Sequence, residues 1–147
     1  MTIRDRRRHR AWLRQLGPFG ACTDKELDRV DQLTTTVEVE AGAVVCREGH
    51  HGHESFFVVA GEAAVAIDGH VIASLGPGSF FGEMSVLEGT RRVASVTART
   101  PMTLLASSPR ELEALIADIP QVGRRMLATM STRLRLADRA LASAEPA

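Results

Sequence analysis

Between Thr34 and Ala106, apolar residues that are mostly β-branched or aromatic come in short runs: Val37-x-Val39, Val44-Val45, Phe56 to Val59, Val65-x-Ile67 and Val71-Ile72. Turn-forming residues punctuate them at Gly42, Gly52, Gly61, Asp68-Gly69 and Pro77-Gly78. Short strands at this spacing build a sandwich, roll or barrel rather than alternating β and α units. Asp68-Gly69 supplies the left-handed pair of a tight hairpin. On either side of this block the apolar period lengthens to that of a helix. Residues 4 to 16 set Trp12, Leu13 and Leu16 on one side, and Thr23-x-x-Glu26 is a capping box opening a helix that runs through Leu33. Ser108-Pro109-x-Glu111 repeats the device after the strands, and Pro120 starts a last helix reaching about Ala142. Along it Val122, Met126, Met130, Leu134, Ala137 and Leu141 make one apolar stripe over roughly 30 Å. That stripe suits the core, a seam with a second copy, or both. Arginines at 124, 125, 133, 135 and 139 leave a charged opposite face, so a narrow homodimer contact through this helix is expected.

The pattern therefore divides one domain, 1–147, into N-terminal helices (1–33), a strand-rich block (34–107) and C-terminal helices (108–142), with residues 144–147 as a frayed end. A chain of 147 residues with 44% hydrophobic positions buries about two-thirds of its unfolded surface as one unit. Its formal net charge is zero, so no overall field draws in nucleic acid or an anionic membrane. Cys22 and Cys46 are too few for a disulfide framework and lack zinc-type spacing. With no apolar leader and no run of about eighteen apolar residues, the expectation is a soluble, cytoplasmic protein.

Chemistry concentrates in Phe81-Gly82-Glu83-Met84-Ser85-Val86-Leu87-Glu88-Gly89-Thr90-Arg91-Arg92-Val93-Ala94-Ser95-Val96. Gly82 permits a sharp turn, and residues 83 to 88 form one or two helical turns whose first amide hydrogens lack partners. That is an anion site before any side chain is added. After a second turn at Gly89, the chain folds back and Arg92 aims a planar, permanently charged fork at the same point. Arg92 then holds a phosphate and Glu83 accepts from a sugar hydroxyl.

Phe81-Gly82-Glu83-Met84, Gly89-Thr90 and Arg92-x-Ala94-Ser95-Val96 resemble the phosphate-binding cassette of the cyclic nucleotide-binding domain family, represented in catabolite activator proteins and in regulatory subunits of cyclic AMP-dependent protein kinase. Arg47-Glu48-Gly49, Phe56-Phe57-Val58-Val59-x-Gly61-Glu62 and Leu75-Gly76-Pro77-Gly78-Ser79-Phe80-Phe81-Gly82 resemble that family's β-roll, and the likeness runs from Leu16 to Asp138. It implies a mainly β fold with flanking helices: a jelly-roll-like β-roll (a double-stranded β-helix) of about eight strands, N-terminal helices and C-terminal B- and C-type helices. The implied ligand is cyclic AMP, with cyclic GMP as the alternative, and no further cofactor and no catalysis. The implied site is Gly82, Glu83, Met84 and Ser85 at the helix start, then Arg91, Arg92, Val93 and Ala94, with Asp138 over the base. The phosphate would lie between the helix start, the Val93-Ala94 amides and Arg92, and the ribose 2′-hydroxyl on Glu83.

Three positions differ from the family's usual residues. Arg91 stands where proline is frequent and adds a second cation. Val93 lacks the hydroxyl that helps guanine recognition in some relatives, which favours cyclic AMP. Ala137 and Asp138 occupy the purine-capping positions, where Asp138 would accept from the adenine amino group. Such a module signals by moving its last helix, toward a partner protein or second subunit. Fewer than ten residues follow Asp138, so no helix-turn-helix and no direct DNA binding are expected.

Two other classes of function compete. A divergent domain of the same shape would bind no nucleotide and serve as an interaction or dimerisation scaffold. Gly49-His50-His51-Gly52-His53-Glu54 resembles the first half of a cupin metal motif and would imply a metal-dependent enzyme. The spacing fails there, because Phe57 or Val58 stands at the expected glutamate and no histidine follows Pro77-Gly78. That segment reads as an exposed hairpin loop. The basic run Arg4-Asp5-Arg6-Arg7-Arg8-His9-Arg10 reads as a solvated helix end, with nucleic acid, acidic lipid or an acidic partner face as its alternatives. The serines at 85, 95, 107 and 108 have no histidine at convincing spacing, and Gly-x-Ser-x-Gly is absent, so no nucleophile is assigned.

Overall fold

The structure, a computed structural model, describes residues 3–144, with side chains for residues 7–143. Helices α1 (Ile3–Arg14) and α2 (Asp24–Gln32) precede strands β1 (Thr35–Val39), β2 (Val44–Cys46), β3 (Ser55–Ala60), β4 (Ala63–Ile67), β5 (His70–Leu75) and β6 (Phe80–Phe81). The short helix α3 (Glu83–Glu88) follows, then β7 (Ser95–Ala98), β8 (Met102–Ser107) and helices α4 (Pro109–Asp118) and α5 (Pro120–Ala144). The eight strands form two antiparallel sheets, in the orders β1-β8-β3-β6 and β2-β7-β4-β5. This is the β-roll with flanking helices that the family resemblance implies, one of the architectures the strand pattern allows.

Strand β3 explains the layering. Its run Ser55-Phe56-Phe57-Val58-Val59 is buried throughout because both faces are covered. Phe56 and Val58 join Phe81, Val96, Leu104 and Ala106 inside the roll. Phe57 and Val59 turn the other way, onto a second core shared with Leu13, Phe19, Leu27, Leu112, Leu115 and Val122 from the helices. Register Phe56↔Phe81 and Phe57↔Phe80 places β6, and so the start of α3, at the edge of that sheet.

The local signals act as their chemistry predicts. Thr23 and Ser108 both close capping boxes, with Glu26 and Glu111. Asp68 (φ 51°) and Gly69 (φ 79°) turn the β4–β5 hairpin in left-handed conformations. Helix α1 ends at Arg14, short of the expected Leu16, because Pro18 sits just beyond. Leu16 is extended (φ −81°, ψ 133°) and leads into a 3-10 turn over Gly17–Phe19.

The last helix departs further from expectation. Val122 and Met126 are buried, yet Leu134 and Leu141 are 64% and 66% exposed, so the stripe leaves the core halfway along. Beyond that point one face of the helix borders a cavity on the roll, and the leucines on its other face are exposed. Its arginines are not a uniform solvated face either. Arg125 donates to Gly17 O (2.7 Å), and Arg133 turns inward. At the other terminus Arg10 is bonded through Nε and Nη2 to Asp28, and Arg14 pairs with Asp24, so the end of the basic run and Arg14 join α1 to α2. Arg7 and Arg8 are exposed, while the side chains of Arg4 and Arg6, and residues 145–147, lie outside the described residues.

Candidate ligand-binding site

Gly82 carries the chain from β6 into α3 with φ 81°, and Gly89 ends that helix with φ 69°. At Gly82 a left-handed turn and lack of space coincide: a Cβ would stand 2.6 Å from Arg92 Nη1 and 3.1 Å from Glu54 O. The chain returns so that Arg92, only 8% exposed, lies under the start of α3. Its Nη1 donates to Gly82 O (2.9 Å) and Ser85 Oγ (2.8 Å), and its Nη2 donates to Glu54 O (2.6 Å). Nε and the second Nη2 hydrogen form none of these bonds.

Glu83 opens α3 with its side chain turned inward and is 4% exposed. Its Oε1 lies 3.7 Å from Arg133 Nη1, while Oε2 is buried with no hydrogen-bond partner. Burial pushes the carboxyl above the ordinary value of 4.5, against its backbone hydrogen bond and the charges of Arg133 and Arg92. A buried carboxylate oxygen without a donor is costly, and a ligand hydroxyl would satisfy it.

These groups border a cavity of about 660 Å³, within the range of small-molecule sites. Of the residues expected in the site, Gly82, Glu83, Met84, Ser85, Arg92, Val93 and Ala94 line it. Val65, Ile72 and Leu75 form its apolar wall on the roll, and Thr129, Arg133, Leu136, Ala137 and Ala140 close it from α5. Cys46 also borders it, and burial pushes its thiol up to about 11.

Two expected residues do not line the cavity. Arg91 is exposed and spends Nη1 on Gly49 O (2.9 Å), so it adds no cation at the helix start. Asp138 is exposed too. The face of α5 that closes the cavity carries Arg133, Ala137 and Ala140 at helical intervals, and Asp138 lies one residue, about 100°, around from Ala137. Sequence reasoning missed Arg133 as a site residue. The signal available was its place one turn before Ala137. Its Nη2 donates to Phe80 O (2.7 Å) and its guanidinium lies 4.5 Å over the Phe80 ring.

His50, His51 and His53 are exposed, and among the described residues no group of three His, Cys, Asp or Glu side chains converges to hold a metal. No described helix is long and apolar enough to cross a membrane.

A buried arginine and an unpartnered carboxylate flanking a glycine-started helix make a compact anion-and-hydroxyl cradle. The family model described as "Cyclic nucleotide-binding domain" matches residues 36–118. The chain belongs to that family. It is 38% identical over 95 residues to a cyclic nucleotide-gated potassium channel of Rhizobium etli, an alignment covering 65% of this chain and 26% of the channel. A CRP-like cAMP-activated global transcriptional regulator of Mycobacterium tuberculosis is 25% identical over 135 residues, 88% of this chain and 60% of the regulator. Among solved structures, the catabolite activator protein of Thermus thermophilus superposes with a TM-score of 0.75 at 30% identity, covering 85% of this chain and 61% of that one. The chain thus spans about a quarter of the channel and 60% of the regulator, and the family is one of regulatory binding domains rather than an enzyme class.

Proposed function

We propose that this cyclic nucleotide-binding domain is a regulatory receiver for cyclic AMP. The observation that carries the reading is Glu83 Oε2, buried and unpartnered beside Arg92 in a cavity closed by α5. In this reading the cyclic phosphate meets Arg92, the first amides of α3 and the Val93-Ala94 segment, and the ribose 2′-hydroxyl donates to Glu83. The base rests against Val93, Leu136 and Ala137. The name of the cAMP-activated relative supports the adenine ligand, and Val93, which offers no hydroxyl to guanine, agrees with it. Ligand would favour the state in which α5 closes the cavity, by as much as it binds that state better than the open one. The signal then passes to a partner protein or a second copy.

Calorimetric titration with cyclic AMP and then cyclic GMP tests this, with Arg92→Ala and Arg92→Lys as controls. Saturable binding that both variants lose, with cyclic AMP preferred, is the expected result, since charge-assisted phosphate contacts are the strong ones. Equal affinity in wild type and Arg92→Ala would remove the site.

A specific observation favours one other reading. Arg92 already satisfies three acceptors within the protein, and Arg133 faces Glu83, so the cradle holds together without ligand. A scaffold that keeps the shape and binds no nucleotide would give flat titrations from a folded protein.

A further inference from the structure

The loop Gly49-His50-His51-Gly52-His53-Glu54 assembles no metal cluster, but it does much of the holding of Arg92. The Arg92 backbone N–H donates to His50 O (2.8 Å), the Gly49 N–H donates to Arg92 O (2.9 Å), and Arg92 Nη2 donates to Glu54 O (2.6 Å). Gly52 lies against the guanidinium itself. A Cβ at this position would stand 2.0 Å from both Cζ and Nε of Arg92 and 2.4 Å from Nη2. Contacts between carbon atoms settle at about 3.5–4.0 Å, so no side chain shares that space with the arginine as it stands. Gly52 is not among the glycines with positive φ, unlike Gly49, Gly82 and Gly89. Its backbone would accept an ordinary residue, and only the guanidinium excludes one.

We propose that Gly52 is a positioning residue for Arg92: the missing side chain is the berth that sets how deep the guanidinium sits, and so how it meets an anionic ligand. The ligand half of this inference rests on the cyclic-nucleotide reading above; the berth does not. With a side chain at 52, the loop keeps its two main-chain bonds to Arg92, and the guanidinium, at the end of a flexible stem, is what moves. It leaves Glu54 O and Gly82 O together and loses its fixed bearing on the α3 amides. A misplacement of about 1 Å in such a contact costs on the order of a hundredfold.

A double-mutant cycle on the full chain decides it, with Gly52→Val, Arg92→Ala and the pair together, and with Gly52→Ala as the smaller step should valine prevent folding. Thermal unfolding without ligand is expected to show a clear drop in Tm for Gly52→Val in the wild-type chain and little or none beside Arg92→Ala, whose truncation vacates the berth. Titration with cyclic AMP is expected to show a ten- to hundredfold loss for Gly52→Val and none for His51→Ala, a change at an exposed residue of the same loop. The same drop in Tm in both backgrounds would overturn the proposal, because the loop would then need glycine for its own sake. So would a Gly52→Val chain with wild-type affinity. If the wild-type chain takes up no cyclic AMP, the nucleotide reading falls by itself, and the unfolding cycle still decides the role of Gly52.

Discussion

Arg133 and Glu83 meet across the cavity, the arginine from the far half of α5 and the carboxylate from the first turn of α3, with Nη1 3.7 Å from Oε1. The same guanidinium holds Phe80 O and lies over the Phe80 ring, so one side chain ties α5 to both β6 and the start of α3. With its side chain still 38% exposed, solvent weakens the ionic part, and the bond to the Phe80 carbonyl matters more. Arg133→Ala is expected to loosen α5 beyond Thr129 by about 1–2 kcal/mol, a five- to thirtyfold rise in local opening. Hydrogen exchange should quicken in residues 130–143 and stay unchanged in β3 and β8. Unchanged exchange in α5 would show that the tie carries no weight.

Glu83 makes stability depend on pH in a definite direction. Its folded pKa lies above the ordinary 4.5, mainly through burial, so between these two values the folded state holds a proton that the unfolded state has lost. Its contribution is therefore fully present below about pH 4.5 and is lost as pH rises through the folded value. Glu83→Gln removes the buried charge. The variant should gain in Tm at pH 7.5 and gain nothing at pH 4. Its affinity for cyclic AMP should fall in the same preparation, since the 2′-hydroxyl loses a charged acceptor. A Tm difference that does not vary with pH would contradict this origin.

Arg92 supports the fold as well as any ligand. Removing its guanidinium strands Glu54 O and leaves Gly82 O and Ser85 Oγ only their long bond to each other (3.3 Å), so Arg92→Ala should lose about 2–4 kcal/mol of stability. Chemical denaturation should show a lower midpoint with an unchanged slope. Arg92→Lys keeps a charge but has no planar fork, and should recover only part of the loss. Stability equal to wild type in Arg92→Ala would mean that the three bonds add nothing.

What was legible in the sequence is what local chemistry decides. The capping boxes at Thr23 and Ser108, the Asp68-Gly69 turn and the glycines around α3 each need only their neighbours. Gly82, Glu83, Ser85 and Arg92 were legible because one short segment carries them all. The cavity's far wall was not. Whether Arg133, Ala137 or Asp138 faces the cavity depends on the rotation of α5 about its axis, which is set by distant contacts such as Arg125 with Gly17 O and Val122 in the helical core. The bond of Arg91 escapes the local pattern for a similar reason, because its partner, Gly49 O, lies on a neighbouring loop forty-two positions earlier in the chain. The berth at Gly52 depends on a residue forty positions later and leaves no local mark.

The outer half of α5 leads to the last expectation. Leu127, Leu134 and Leu141 stand seven residues apart and are 64%, 64% and 66% exposed, with Met130 and Ala137 between them. That is one residue per heptad along a single exposed helix face; Met130 and Ala137 are turned toward the core and the cavity and stay out of the row. We propose a second copy of the chain as the occupant, since each leucine buried against its twin contributes about 1.5–3 kcal/mol toward the cost of association. Sedimentation should show a monomer–dimer equilibrium for wild type and a monomer for Leu134→Glu. Because Leu134 neither lines the cavity nor belongs to the core, the variant should keep cyclic AMP affinity in its monomeric state. Wild type that stays monomeric up to high concentration would leave the leucine row without this partner, and equal dimerisation of Leu134→Glu would move the contact elsewhere.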